Sequence, residues 1–448
     1  VVLTGIEAEE GDITIASGSG DISLEGDART NVATGSSIEI VEPLQDNSTG
    51  DSMVKTGDGE LILSGNNSYS SGFDLNEGTV TANNDNAFGT GEVDLFQGNL
   101  YATNGTTISN VINVTGEFSG DTLTTDFTGE NDKGAYGDDT NGITTDTSGV
   151  DWTIDIGNAG LDADGTENDW RVLTTSSEEF TGQDPGGDEA LWLQDIDVSL
   201  TDNVSNLEID VRTLGGGANS GSEGFSFAYS VDGGSNFNDV FSTGFDSNND
   251  DGTTTLNGTP QTLSASSNID VSAVSTLKLR VKVDANGKNT GYVFDNIAVD
   301  RDAKSSTSAV IGENSGGTAI YSGAVNLSGD VSLHAASGGD VTFSGDISDA
   351  SGSNTVTKTG AGKVALNGTN TFAGGVVVEN GTLEVNNSGA LGTGDLTINN
   401  TAGDATFQIG TDGVDISEAI TVEDTTNTTT FGMDDGVTAT TATGIISG

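Results

Sequence analysis

One stretch of this chain is written twice. KTGDGELILSGNNSYSSGFDLNEGTVTANNDNAFGTG begins at Lys55 and returns without a gap as KTGAGKVALNGTNTFAGGVVVENGTLEVNNSGALGTG at Lys358. Lys358 follows Lys55 by 303 residues, as Gly368 follows Gly65 and Gly394 follows Gly91. The kept positions are apolar or glycine: Leu61, Leu63, Tyr69, Phe73, Leu75, Val80 and Phe88 answer Val364, Leu366, Phe372, Val376, Val378, Leu383 and Leu391. The residues between them drift among polar types, so the reading is that backbone shape is kept and chemistry is not.

Short alternating runs such as GELILSG and GTVTANN, parted by Asn, Gly and Ser clusters about every ten residues, read as strands and turns. Glycines at Gly65, Gly72 and Gly78, repeated at Gly368, Gly375 and Gly381, suit corners that need a positive φ or a close backbone approach. A single coil of roughly twenty residues buries too little apolar surface to offset its conformational entropy. Stacked coils share their inward faces and pair every strand above and below, which is the logic of a solenoid.

The pattern KTGxGxLxLxGxNxYxGGxxVxxGTLxVxxxxALGxG closely resembles the autotransporter-associated β-strand repeat of bacterial passenger domains. The resemblance covers the two copies and their flanks. It implies a right-handed parallel β-helix displayed outside the cell. Copy one departs from the pattern at Asp58, Phe73 and Asp74, and neither copy carries a recognised catalytic residue of the family.

Charge narrows the partners. The chain has 448 residues with 69 acidic and 13 basic side chains, a formal charge of −56, no cysteine and one histidine, His334. Nucleic acid is excluded as a partner of the bare chain, because phosphate binding needs clustered Lys and Arg. An anionic membrane surface would repel it, whereas divalent cations or a saline exterior fit. No run approaches the roughly 20 apolar residues of a membrane helix. Val1 is no initiator and no signal peptide or outer-membrane barrel is present, so a processed protein or a piece of a longer one is expected.

Flanking phrases extend the duplication. GDISL at Gly20 answers GDVSL at Gly329, SIEIV near Ile38 answers DVTFS near Val341, and ISNVINV at Ile108 answers ISEAITV at Ile416. Residues 1–120 and 305–448 are therefore expected to form the β-helix. Between them, 121–304 holds Trp152, Trp170 and Trp192 and the cleanest alternations, Leu277/Leu279/Val281/Val283, Leu207/Ile209/Val211 and Phe225/Phe227/Tyr229/Val231. Half-buried antiparallel strands of this kind predict an inserted β-sandwich. SVDGGSNF, YVFDNIAVD and DEALWLQDIDVS resemble jelly-roll modules of the carbohydrate-binding or receptor-ectodomain kind. The fold expected is all-β: a right-handed parallel β-helix with an inserted antiparallel jelly roll.

Candidate chemistry lies mostly in that insert. LDADGTEND presents Asp162, Asp164, Glu167 and Asp169, and FDSNNDDG presents Asp246, Asn248, Asp250 and Asp251, as oxygens at alternate positions beside a glycine. Calcium takes six to eight such oxygens, although neither loop fits the EF-hand pattern; solvated carboxylates are the plainer alternative. Asp295 shares strand parity with Val293, Ile297 and Val299, and on a buried face its carboxylate must be paired or bound to a cation. The jelly-roll resemblance implies a structural calcium ligand there; a carboxylate held by turn amides is the alternative. The basic stripe Lys278, Arg280, Lys282 and Lys288 is expected to lie beside Glu208 and Asp210, or else to hold an acidic glycan. His334 reads as a lone surface histidine and no carboxylate pair stands out, although β-helix glycosidases work with carboxylates alone.

These readings converge on a non-enzymatic secreted or surface protein of bacteria, a rigid β-helical scaffold displaying a sandwich. The alternative is a polysaccharide-binding or polysaccharide-cleaving protein whose insert holds the glycan. VVLTG at one end and TATGIISG at the other read as uncapped coils, so head-to-tail self-association is expected.

Overall fold

The computed structural model describes residues 2–8, 11–16, 18, 22–47, 51–115, 120–125, 152–155, 170–173, 179–183, 190–198, 201–214, 224–243, 256, 259–272, 274, 276–284, 291–302, 309–350, 352–423, 427–434, 436–437, 441–442 and 446–447. They form two compact units, one of residues 1–118 and 305–448, the other of 119–304.

The first unit is a parallel β-solenoid. Its strands stack into a 9-stranded, a 12-stranded and a 7-stranded sheet, here called the first, second and third, and each turn of chain adds a strand to two or all three. Period-two sequences explain the coils. In Ser37–Ile40, Glu60–Leu63 and Asn99–Ala102 every second side chain is buried and the one between is not. All seven apolar pairs of the repeat are buried in one continuous core.

The solenoid is unbroken where the chain leaves it. Ile112–Val114 pairs in parallel with Val325–Leu327, Ile112 opposite Val325. Asn99 stands opposite Val310 and Thr106 opposite Ala319. Coils that are neighbours in space are thus distant in sequence, and a corner absorbs the insertion at no cost to the stack.

The two repeat copies do not occupy the same faces. Ser52–Thr56 and Phe73–Leu75 lie in the first sheet and Glu60–Leu63 in the second, whereas Val356–Thr359 and Val376–Val378 lie in the second and Lys363–Leu366 in the third. The flanks shift alike: Ile22–Val32 is in the first sheet and Val331–Ala335 in the second, Ser37–Ile40 in the second and Asp340–Phe343 in the third. The later half repeats the earlier half turned by one face.

Corners follow the glycines. Gly72 and Gly375 have φ of 113° and 87°, and a Cβ on Gly375 would stand 2.5 Å from the Asp395 carbonyl oxygen of the next coil. Conformation and contact both demand glycine.

The second unit pairs its strands antiparallel in a 7-stranded and a 5-stranded sheet, around a core that includes Trp192, Phe225, Phe227 and Phe294. Asp121–Thr125 pairs with Gly291–Arg301, Asp121 opposite Arg301. Arg301 Nε donates to Asp121 Oδ1 at 2.7 Å and its Nη2 lies 2.5 Å from Oδ2. Entry and exit are therefore clamped together, as an inserted unit requires.

Two alternations behave differently from the sequence reading. Gly224–Ser230 is buried on both faces except at Tyr229. Its small residues Ser226, Ala228 and Ser230 stand beside Lys282, Arg280 and Lys278 of the neighbouring strand. The basic stripe does not lie beside Glu208 and Asp210, which belong to the other sheet. Lys278 pairs with Asp195, and Arg280 lies 4.0 Å over the Phe237 ring. Lys288 lies outside the described residues.

Candidate functional site

The repeat keeps chemistry as well as shape, contrary to the reading above. Lys55 and Lys358 are fully buried. Lys358 takes an inward register position between Leu333 and Val378, which alternation alone assigns to an apolar residue. Its Nζ donates to the carbonyls of Thr359, Gly360 and Asn380 at 2.8, 2.7 and 2.8 Å. Lys55 Nζ reaches Thr56, Gly57 and Glu77 in the same way, at 2.8, 2.5 and 3.2 Å. Each ammonium ties a corner to the next coil. Burial lowers Lys358 to about 7 and Lys55 to about 8, with Glu77 and Asp58 opposing the fall for Lys55.

Asn67 and Asn370 are the second kept device. Asn370 Oδ1 accepts from Ile347 N at 2.8 Å and Nδ2 donates to Ala390 O at 2.6 Å. Asn67 does the same with Leu44 N and Ala87 O, at 2.9 and 2.6 Å. Both stand on the side of the coil that lacks a strand, where a side-chain amide replaces the missing ladder bonds to the coils above and below.

One surface feature among the described residues with room for a ligand is an open groove of about 510 Å³ on the outer face of the second sheet. It crosses five successive strands, from Asp12–Ile15 to Asn99–Ala102. At about 4.8 Å per strand, the four steps span roughly 19 Å along the solenoid. Its floor is a register-aligned row, Asp12 opposite Ser37, Ser37 opposite Glu60, and Glu60 opposite Thr79. The Asp58–Gly59 corner and Asn314 border it, and Tyr101 stands toward one end.

Each carboxylate in the groove accepts from a protein hydroxyl. Ser37 Oγ donates to Asp12 Oδ1 at 2.9 Å, Thr81 Oγ1 to Glu60 Oε1 at 2.6 Å, and Thr34 Oγ1 to Asp58 Oδ2 at 3.3 Å. Tyr101 stands opposite Gly312, which stands opposite His334. With no side chain between them, the two rings lean together, centroids 5.9 Å apart. Both are half-buried; burial raises Tyr101, while burial and then Lys358 lower His334 against the pull of Glu313. His334 Nδ1 lies 3.2 Å from Thr359 Oγ1. The histidine is one member of an aromatic pair, not a lone residue. Sequence reasoning missed Tyr101 because its partner lies beyond the insertion.

The metal candidates fare unevenly. Asp162, Asp164, Glu167, Asp169, Asp246, Asn248, Asp250 and Asp251 lie outside the described residues. Asp295 is half-buried and opposite Asp210, but it does not share a face with Ile297 and Val299. The register slips there, Glu208 pairing with Ala298 and Asp210 with Asp295, so Gly291–Arg301 carries an extra residue. That residue is Asn296, with φ of 50°. The bulge reverses the alternation, placing Phe294, Ile297 and Val299 in the core and Asp295 on the other side. Asp210 accepts from Thr262 Oγ1 at 2.5 Å and Asn296 Nδ2 at 3.0 Å. Among the described residues, no three His, Cys, Asp or Glu side chains gather to hold a metal.

SVDGGSNF folds as a self-contained turn. Asp232 accepts from Ser230 Oγ at 2.7 Å and from Asn236 N and Nδ2 at 2.8 and 2.6 Å, and these bonds hold its carboxyl down at about 2. Of the tryptophans, Trp192 is buried, with its ring edge-on to Phe294 at 5.8 Å. Trp152 and Trp170 lie on strands Trp152–Asp155 and Trp170–Leu173.

The lysine clamp, the asparagine bridge and the glycine corners recur together at residues 53–82 and 356–385. Both segments match the passenger-associated-transport-repeat. The two matches fall on the duplicated coils, so the resemblance noted in the sequence holds at family level for those segments, and its β-solenoid is the fold found. No curated protein and no solved structure matches the chain. Among the described residues no helix is long and apolar enough to cross a membrane.

Proposed function

We propose that this protein is a secreted or surface-displayed bacterial scaffold without catalytic activity of its own, whose solenoid is a passenger-type segment bearing the sandwich unit of residues 119–304. The observation that carries this reading is the pair of passenger-repeat matches built into one uninterrupted stack. A corner insertion that leaves the ladder in register suits a scaffold, because the inserted unit can vary without disturbing its support. Labelling of intact producing cells with an antibody to the sandwich, and its release by brief protease treatment, is the expected outcome. Labelling only after the cells are broken would refute the surface reading.

The proposal extends to end-to-end self-association. Phe431 and Met433 continue the inward columns of Phe407 and Ile409, yet they are 44% and 58% exposed. A further coil packed on Thr429–Met433 would cover them, and a second copy can supply it. Sedimentation of the 448-residue chain tests this: mass rising with concentration supports it, and a monomer throughout the micromolar range refutes it.

A further inference from the structure

We propose that the groove between Asp12 and Tyr101 is a binding site for a neutral glycan, laid along the solenoid with one sugar ring on the Tyr101–His334 pair.

Asp12, Asp58 and Glu60 each already accept a hydrogen bond from a protein hydroxyl, which orients the carboxylate and leaves further lone pairs for other donors. Sugar hydroxyls are the same kind of donor, and charge-assisted bonds to carboxylates are the stronger sort. The half-buried Tyr101 ring at one end, backed by His334, supplies the apolar surface on which a sugar's C–H face rests. Among the described residues no Lys or Arg lines the groove, so an acidic polymer would meet uncompensated carboxylates.

Residues 303 positions later give the same corner in the second copy, where Ser37, Glu60 and Thr81 become Asp340, Lys363 and Glu384. There Lys363 Nζ bridges Asp340 Oδ2 at 3.1 Å and Glu384 Oε2 at 3.4 Å. Against its partial burial, these two carboxylates push Lys363 up. The second copy therefore neutralises its row by an internal ion-pair bridge. The first copy carries Glu60 at the lysine's place and leaves its acceptors facing outward. Both copies fold the same coil, so stability does not require the acidic version.

The comparison also supplies the test. Glu60→Lys installs the residue that the other copy tolerates, and Tyr101→Ala removes the platform. The probes are neutral oligosaccharides of five or six units, α- and β-linked glucans and a mannan, titrated against the full chain by calorimetry and by saturation-transfer NMR. We expect at least one to bind, and each substitution to weaken it tenfold or more, with Glu60→Lys still unfolding in one cooperative urea transition despite the lost Thr81 bond. Two results would overturn the proposal: no member of the panel binds, in which case Glu60-dependent binding of spermine would make the groove a cation site; or binding survives both substitutions.

Discussion

Gly375 and Gly352 have nearly the same backbone angle, φ of 87° and 75°, but different surroundings, and alanine at each separates conformation from contact. At Gly352 a Cβ would meet nothing within 4 Å, so Gly352→Ala carries only the left-handed backbone term, about 1–2 kcal/mol. At Gly375 the Cβ would sit 2.5 Å from the Asp395 carbonyl, against an ordinary contact of 3.4 Å or more. The coil above must move away by nearly an ångström, and that carbonyl accepts from Val376 N at 3.0 Å. Losing the bond costs a further 1–1.5 kcal/mol or so, and parting Val376 from Leu396, its register partner, adds dispersion loss. Gly375→Ala is therefore expected to cost about 3–4 kcal/mol in all, roughly 2 more than Gly352→Ala. Urea unfolding followed by circular dichroism reads the difference as a shift in midpoint at constant slope. Equal losses at the two sites would mean that the stack yields freely, and the close-packing argument would fail.

Other outcomes follow from the same structure. Lys358 and Lys55 are lowered by burial to about 7 and 8 from 10.5, so above pH 7 the unfolded chain holds more protons and stability should rise with pH up to about 9.5, by at most about 1.4 kcal/mol per unit for each lysine. Beyond that the buried Tyr69 and Tyr321, which burial raises, bind more protons folded than unfolded and reverse the slope. Lys358→Met should flatten the rise, and an unaltered profile would show that the three carbonyls hold the proton against burial. Asn370→Ala leaves Ile347 N and Ala390 O without their bridge and should cost about 3 kcal/mol in urea titration; a loss under 1 would show that the bridge is dispensable. Calcium at Asp295 and at the loops of Asp162, Asp164, Asp246 and Asp250 is a proposal resting on the crowding of carboxylates in a chain of charge −56. Chelation at constant ionic strength should lower the melting temperature and added calcium restore it, and an unchanged melting curve would exclude a stabilising ion.

The duplication at Lys55 and Lys358, with period-two strands and corner glycines, was enough by itself to determine stacked coils, an inserted unit and the inward apolar positions, because alternation and turn chemistry are local properties of the chain. What a kept polar residue does is not local. Lys358 and Asn370 bond to coils about twenty residues away, so only the stack reveals them as clamps. The same holds for Asp295, whose side was decided by one extra residue at Asn296: counting alternate positions assumes an unbroken ladder, and a bulge reverses every assignment beyond it. The facing of the repeat was also a tertiary decision, since the residues between the copies fix through how many faces the chain turns before it writes the motif again. Tyr101 and His334 meet because the solenoid ladder is continuous across the point of insertion, placing Gly312 between them. Separations along the chain carry no record of that continuity; the parallel register of the coils does.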